Sequence, residues 1–318
     1  MSSEVELPQQ QLEQTRSYIA IASLLIGVFA MSWTPILIRL SESEISPIST
    51  TFWREAIPSV LFGLWVSFQS LARSDSEEKS SEHESDQNIG RSQILLVAAS
   101  ISATFSVVLF AWALTQTTVA NSTVIHSLVP LFTSLGAWLV FFRSFSRQFL
   151  IGMVVAMVGA IGIGLEDLQI SLNNLQGDVM SLVSMILYSA YLLVVEKLRT
   201  KIDTATILLW RCTVGAVVLL PILLIARDTI FPFSINGWLF VIALALVSQV
   251  IGQGLVAYSL KKVSSGFVAL SFLLIPALSA ILAWFIFAEN LSLLNWLSFF
   301  IILLGIYLAV SNQEVVNK

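Results

Sequence analysis

Charge is what this sequence has least of. Only 11% of its 318 residues are Asp, Glu, Lys or Arg, against 56% apolar residues and a mean hydropathy of +0.86. A water-facing surface needs about a quarter of its residues charged, so an ordinary soluble domain is excluded. There is one cysteine, Cys212, so no intramolecular disulfide can form; inside an apolar run it reads as a small buried side chain. The net charge of −4 lacks the basic excess that nucleic-acid binding requires. Of the two histidines, His83 stands in an acidic loop with no metal partner near it in sequence, and no metal or other cofactor is expected. The sequence also lacks a phosphate-loop lysine motif, clustered metal ligands and a serine with an evident histidine and acid, so it is not read as an enzyme.

What is abundant is the long apolar run. Backbone amides in hydrocarbon have no water partner, so only helices or closed barrels can span, and runs of about 20 apolar residues select helices. The runs predict ten spans: 18–40, 49–71, 93–115, 119–142, 148–165, 177–197, 204–226, 236–259, 265–287 and 293–311. The polar start, residues 1–16, and a first run too long for a signal core predict a cytoplasmic tail and a first span rather than a cleaved leader. Residues 72–92, rich in Ser and acids, predict a disordered loop. Residues 312–318 form a second short tail.

Lysine and arginine set the orientation, because cytoplasmic loops collect them. With both termini inside, twelve basic residues lie on inner segments: Arg16, Arg73, Lys79, Arg91, Arg143, Arg147, Lys197, Arg199, Lys201, Lys261, Lys262 and Lys318. Only Arg39 and Arg227 lie outside, and Arg54 and Arg211 fall within early turns of spans. The expectation is a multi-pass inner-membrane protein with cytoplasmic ends.

The two halves repeat. A shift of 146 carries Pro130 to Pro276, Trp112 to Tyr258, Ala137-Trp138 to Ala283-Trp284 and Gly159 to Gly305; a shift of 157 carries Trp53-Arg54 to Trp210-Arg211. The longer acidic loop of the first half absorbs the difference. Each half, 17–165 and 166–311, then holds five spans. Five is odd, so the second half enters the membrane inverted. The predicted fold class is therefore all-α membrane, ten transmembrane helices as two inverted five-helix repeats. Such repeats are a recurrent carrier architecture, with a site near the midplane between them.

The paired Trp-Arg steps, Trp112-Ala-Leu, Tyr258-Ser-Leu and the stretch SSGFVALSFLLIPALSAILAWFIFAENLSLLNW (264–296) resemble the EamA-type family of the drug/metabolite transporter superfamily, over nearly the whole chain. The resemblance implies a cavity lined mainly by spans one, three, four, six, eight and nine, and secondary transport, without ATP, of small organic molecules, often amino-acid-like or nucleobase-like. It also marks Glu289, which closes the ninth span. Arg143 stands at the equivalent place in the first half, a departure from the family pattern. Expected partners are a small-molecule substrate and lipid, with the chain a monomer or homodimer.

Candidate site residues follow from depth and symmetry. Trp33 and Tyr191, and Trp112 and Tyr258, are matched aromatics expected to border a central, water-sized cavity. Asn121, Gln249 and Gln253 are polar within spans, the two glutamines sharing a face at four-residue spacing. They read as hydrogen-bond donors to substrate or as links between helices. His126, one turn before Pro130, is a titratable group within a span or a buried neutral imidazole. Pro130 and Pro276 each bend a helix and loosen the carbonyl four residues earlier, those of His126 and Phe272. Arg54 and Arg211 read as one near each mouth, guiding an anion, bracing helix ends or snorkelling to headgroups. Glu55 is turned about 100° from Arg54 and is not expected to be its partner. Gly152, Ala156, Gly159, Gly162 and Gly164 make one flank of span five small, which reads as close helix packing. The competing class is a structural or signalling membrane protein without a transport cycle, favoured if the midplane is tightly packed.

Overall fold

The computed structural model describes residues 9–74, 86–113, 116–117, 119–164, 175–226, 229–288 and 291–311. Among these there is no strand, and the helices run α1 (Gln9–Ser32), α2 (Thr34–Ser41), α3 (Pro47–Ser74), α4 (Asp86–Ala113), α5 (Val119–His126), α6 (Val129–Phe141), α7 (Arg147–Gly164), α8 (Leu175–Leu198), α9 (Thr204–Ala226) and α10 (Ile235–Ala243). A π-helical segment, Leu244–Gln253, continues α10, followed by α11 (Gly254–Ser259), α12 (Ser265–Ser271), α13 (Leu274–Phe287) and α14 (Leu293–Val310). Seven helical stretches are long and apolar enough to cross a membrane, and Arg147–Ile163 and Leu293–Ala309 are shorter apolar helices.

The chain is helical further than composition suggests. Helix α1 begins at Gln9, inside the expected tail, while α3 reaches Ser74 and α4 starts at Asp86, so the acidic loop is shorter at both ends than 72–92. Its remainder, 75–85, lies outside the described residues, as do His83, Arg227, Glu289 and the last seven positions.

The surface is apolar where a soluble protein would be charged. Phe68, Phe142, Phe285, Leu293 and Tyr307 are all at least 70% exposed, a coat that suits hydrocarbon. Inside, small hydroxyl residues are frequent. Buried Ser100, Thr104, Ser189, Ser259 and Ser271 donate to carbonyls three or four residues back in their own helices, so their polarity is satisfied locally and their small volume lets helices approach.

The closest approach joins α7 and α14. A Cβ added to Gly159 would lie 2.9 Å from the Ser298 carbonyl oxygen, and one added to Gly305 would lie 2.7 Å from Cα of Ala156. Backbone meets backbone there, in keeping with the small-residue flank read from the sequence. The other main pairings are α4 with both α8 and α9, α3 with α9, α1 with α11 and the π segment, and α6 with both α8 and α12.

Candidate functional site

Interrupted helices position the site. Helix α1 stops at Ser32, and α2 restarts after Trp33 with Pro35 in its first turn, where the missing N–H costs nothing. The carbonyl freed at Ser32 accepts from Ser279 of α13 at 2.8 Å, and the Thr34 hydroxyl meets that of Ser248 at 2.7 Å. Breaks within a bilayer survive only where neighbours satisfy the freed groups. The breaks before Pro130 and Pro276 fall at Ser127-Leu128 and Phe272-Leu273. The Phe272 carbonyl is not left open, however: the Ile275 N–H takes it at 3.0 Å, a tighter three-residue bond that closes the gap.

The π segment carries three buried polar residues, Ser248, Gln249 and Gln253. Such widened turns are uncommon and recur at functional sites. Gln249 Nε2 donates to Glu55 Oε2 at 3.1 Å, and its Oε1 accepts from Arg54 Nε at 3.4 Å. Arg211 NH2 lies 3.7 Å from Glu55 Oε1, an ion pair with both side chains buried, and the Arg211 guanidinium sits 5.5 Å from the centre of the Tyr191 ring. Arg211 Nε and NH1 are buried without a hydrogen-bond partner. A cavity of about 10 Å³, room for roughly one water, is bordered by Glu55, Thr104, Arg211 and Gly215. One turn along the segment, Gln253 Nε2 reaches the Tyr188 hydroxyl at 3.5 Å. Tyr188 in turn lies against Tyr191 and Phe272.

This geometry revises the sequence reading of the arginines. They do not stand apart at opposite mouths or snorkel; both reach the Gln249–Glu55 pair. The reason is that α3 packs along α9. Each arginine is the eighth residue of its helix, about 10 Å inside at 1.5 Å per residue, so two long side chains meet in the interior. Glu55 is indeed not bonded to Arg54. Its partner is Arg211, which sequence adjacency could not show. Counting charges at depth could have, because Glu55 is the acid nearest the middle of a predicted span when two arginines need a partner.

The aromatics separate. Tyr191 is buried under Arg211 and Trp33 is the half-buried hinge between α1 and α2, whereas Trp112 and Tyr258 are 48% and 46% exposed. The small cavity is bordered by none of the four. Indoles and phenols at helix ends gain by lying at a polar boundary, and both Trp112 and Tyr258 fall in the last turns of their helices. Gln249 and Gln253 bond protein groups here, and the four-residue spacing acts through a π rather than an α turn.

His126 belongs to a second polar group. Its Nε2 lies 3.4 Å from the Ser184 hydroxyl, and its ring packs edge-on against Phe110. Ser184 and Ser106 exchange hydroxyl-to-carbonyl bonds of 2.7 and 2.9 Å between α8 and α4. Pro130 is buried in the first turn of α6. The side chain of Asn121 is not among those described, nor is Glu289.

A third group was not anticipated. Arg143 NH1 meets Glu196 Oε1 at 2.9 Å, and Glu196 Oε2 accepts from the Ser265 N–H at 2.9 Å. The end of α6, the end of α8 and the start of α12 are thus held together. Elsewhere Glu44, between α2 and α3, accepts from both the N–H and the hydroxyl of Ser234, the N-cap of α10. The Ser234 hydroxyl first, then its N–H, hold the Glu44 carboxyl below its ordinary value.

Helices with apolar coats, broken at satisfied points around a buried ionic layer, define a polytopic membrane protein. The chain belongs to the EamA-like transporter family, which it matches twice, over residues 18–165 and 175–311. It is similar to an uncharacterized transporter of Archaeoglobus fulgidus, 22% identical over 300 residues that cover 92% of this chain and 98% of that one. A second similar protein, an uncharacterized transporter of Methanothermobacter thermautotrophicus, is 25% identical over 242 residues, 73% of this chain and 68% of the relative. A solved crystal structure of another protein shares the fold with a TM-score of 0.75 at 14% identity, covering 94% of this chain and 98% of that one.

Proposed function

We propose that the protein is a secondary carrier of small organic metabolites that works by alternating access between two inverted five-helix repeats. Ten spans result when α3 and the two shorter apolar helices join the seven long stretches. The twofold family match supports the duplication. The contacts support a twofold relation between the halves. Replacing each span by its counterpart five spans on turns α4–α8 into the pairing of the π segment and α11 with α1, and α6–α8 into α13–α1. It returns α3–α9, α7–α14 and α6–α12 to themselves. Contacts that survive this exchange suit two halves related by a pseudo-twofold axis, and an odd count of five spans in each half would make that axis an inverting one.

The observation that carries the reading is the ionic layer of Arg54, Glu55, Arg211 and Gln249, contributed by both halves at membrane depth. Charges there cost about 2.5 to 3.5 kcal/mol each on insertion scales, and such groups mark substrate or ion pathways. A non-transporting role draws on the small volume of the cavity bordered by this layer, about 10 Å³. In a carrier that small volume describes a closed conformation. Reconstitution into vesicles and flux measurements against a broad metabolite panel decide between them. Saturable, gradient-driven flux is expected, and no flux of any compound in either direction rejects the carrier reading.

A further inference from the structure

We propose that Arg211 holds an anion in the transport site, and that the molecule carried presents a carboxylate to it. This deepens the carrier reading and rests on it for the transport step. Three observations lead there. First, Arg211 is 3% exposed, yet two of its three guanidinium nitrogens, Nε and NH1, have no hydrogen-bond partner. Buried donors left unmade cost about 1 to 3 kcal/mol, more when charged, so their retention calls for a ligand.

Second, the layer does not balance. Arg54 and Arg211 bring two positive charges, and Glu55 brings one negative charge that is already committed. Its oxygens accept from Gln249, and Arg211 stands 3.7 Å away, beyond a normal hydrogen bond. One positive charge remains over at a depth where it is expensive. A water in the adjoining space would accept one N–H but bring no charge. A monoanion would do both.

Third, the room is of the right kind. Arg211 borders the cavity of about 10 Å³, whose other walls are Glu55, Ala103, Thr104, Val107, Gly215 and Leu219, so that Arg211 is its one cationic wall. A Cβ on Gly215 would come 3.1 Å from Cγ of Glu55, so glycine keeps this wall back. The space admits one carboxylate oxygen in the conformation described, with Thr104 beside it. The rest of a substrate would enter as the helices part. A planar guanidinium matches a carboxylate better than any other side chain does.

The test uses the purified full chain in detergent and matched acid and amide probes: benzoate with benzamide, pyruvate with pyruvamide, and phenylalanine with phenylalaninamide. Thermal stabilisation is titrated with each, against sodium chloride at equal ionic strength. At least one acid is expected to stabilise saturably while its amide and chloride do not. Arg211→Gln should weaken that binding about thirtyfold or more, and Arg211→Lys should retain part of it. The double variant Glu55→Gln/Arg211→Gln removes both halves of the ion pair together, so neither half is stranded; it guards against simple misfolding and should also be blind to the acid. Equal response to acids and amides, response to chloride alone, no response to any acid, or undiminished binding in Arg211→Gln each overturn the assignment. Vesicle flux is scored separately: acid binding without flux removes the carrier reading and keeps the anion site, and flux of uncharged compounds alone does the reverse.

Discussion

At the scale of the residue, Glu55 has the most to lose. It is 4% exposed and is the carboxylate between Gln249 and Arg211. Removing one partner of a buried ion pair strands the other and costs about 3 to 5 kcal/mol, whereas removing both is far milder. Glu55→Ala should therefore lower the melting temperature in detergent markedly, and Glu55→Ala/Arg211→Met should recover much of the loss. Equal, additive losses in that double-mutant cycle would show the pair to be uncoupled. The sequence announced Arg54, Arg211, Gln249 and Gln253 through their depth in apolar runs. It could not announce that they converge, because convergence depends on α3 lying along α9, a contact between residues more than 150 positions apart. Arg143 and Glu196 escaped for the same reason: each sits near a span end, where a charge needs no special explanation.

At the scale of the element, proline made two of the breaks legible. Pro130 and Pro276 locate them within a few residues. The hinge at Trp33 also has its proline, Pro35, and could have been read the same way. The π segment has no such mark, since nothing in LALVSQVIGQ departs from an ordinary apolar helix; the segment packs against α1 and α3, contacts that local sequence does not encode. The seam of α7 and α14 was legible as a small-residue flank. Gly159→Leu should destabilise the fold by about 1 to 3 kcal/mol or more, while Gly63→Ala, whose added Cβ would meet only Leu209 at 3.7 Å, should be close to neutral. Thermal melts of the two variants compare them directly. The clamp between Glu44 and the start of α10 has a pH signature. Its folded value is depressed, so its stabilising effect is complete above the ordinary glutamate value of 4.5 and is lost as pH falls through the lowered value. Ser234→Ala should move the Glu44 titration upward, read by carboxyl carbon NMR; an unmoved titration would assign the depression to other groups.

At the scale of the whole molecule, composition and period were enough to fix an all-helical membrane protein. The count of spans and the sidedness rest on charge placement and internal repetition. Cysteine labelling tests them cleanly, because Cys212 is the chain's one thiol and is buried. In a Cys212→Ser background, cysteines placed at the exposed positions Ser43 and Thr229 should react with an impermeant maleimide from outside. Those at Ser144 and Thr200 should react only after the membrane is opened. Ser43 and Thr200, counterparts in the two halves, reacting from the same face would break the inverted arrangement. The α7–α14 seam bears on how such a molecule can move. Two rods that touch through their peptide planes have no layer of side chains to shear, so neither can slip lengthwise without first being prised off the other. A conformational cycle would have to swing around this seam, as a door does around its post, and the widest excursions would belong to the helices farthest from it.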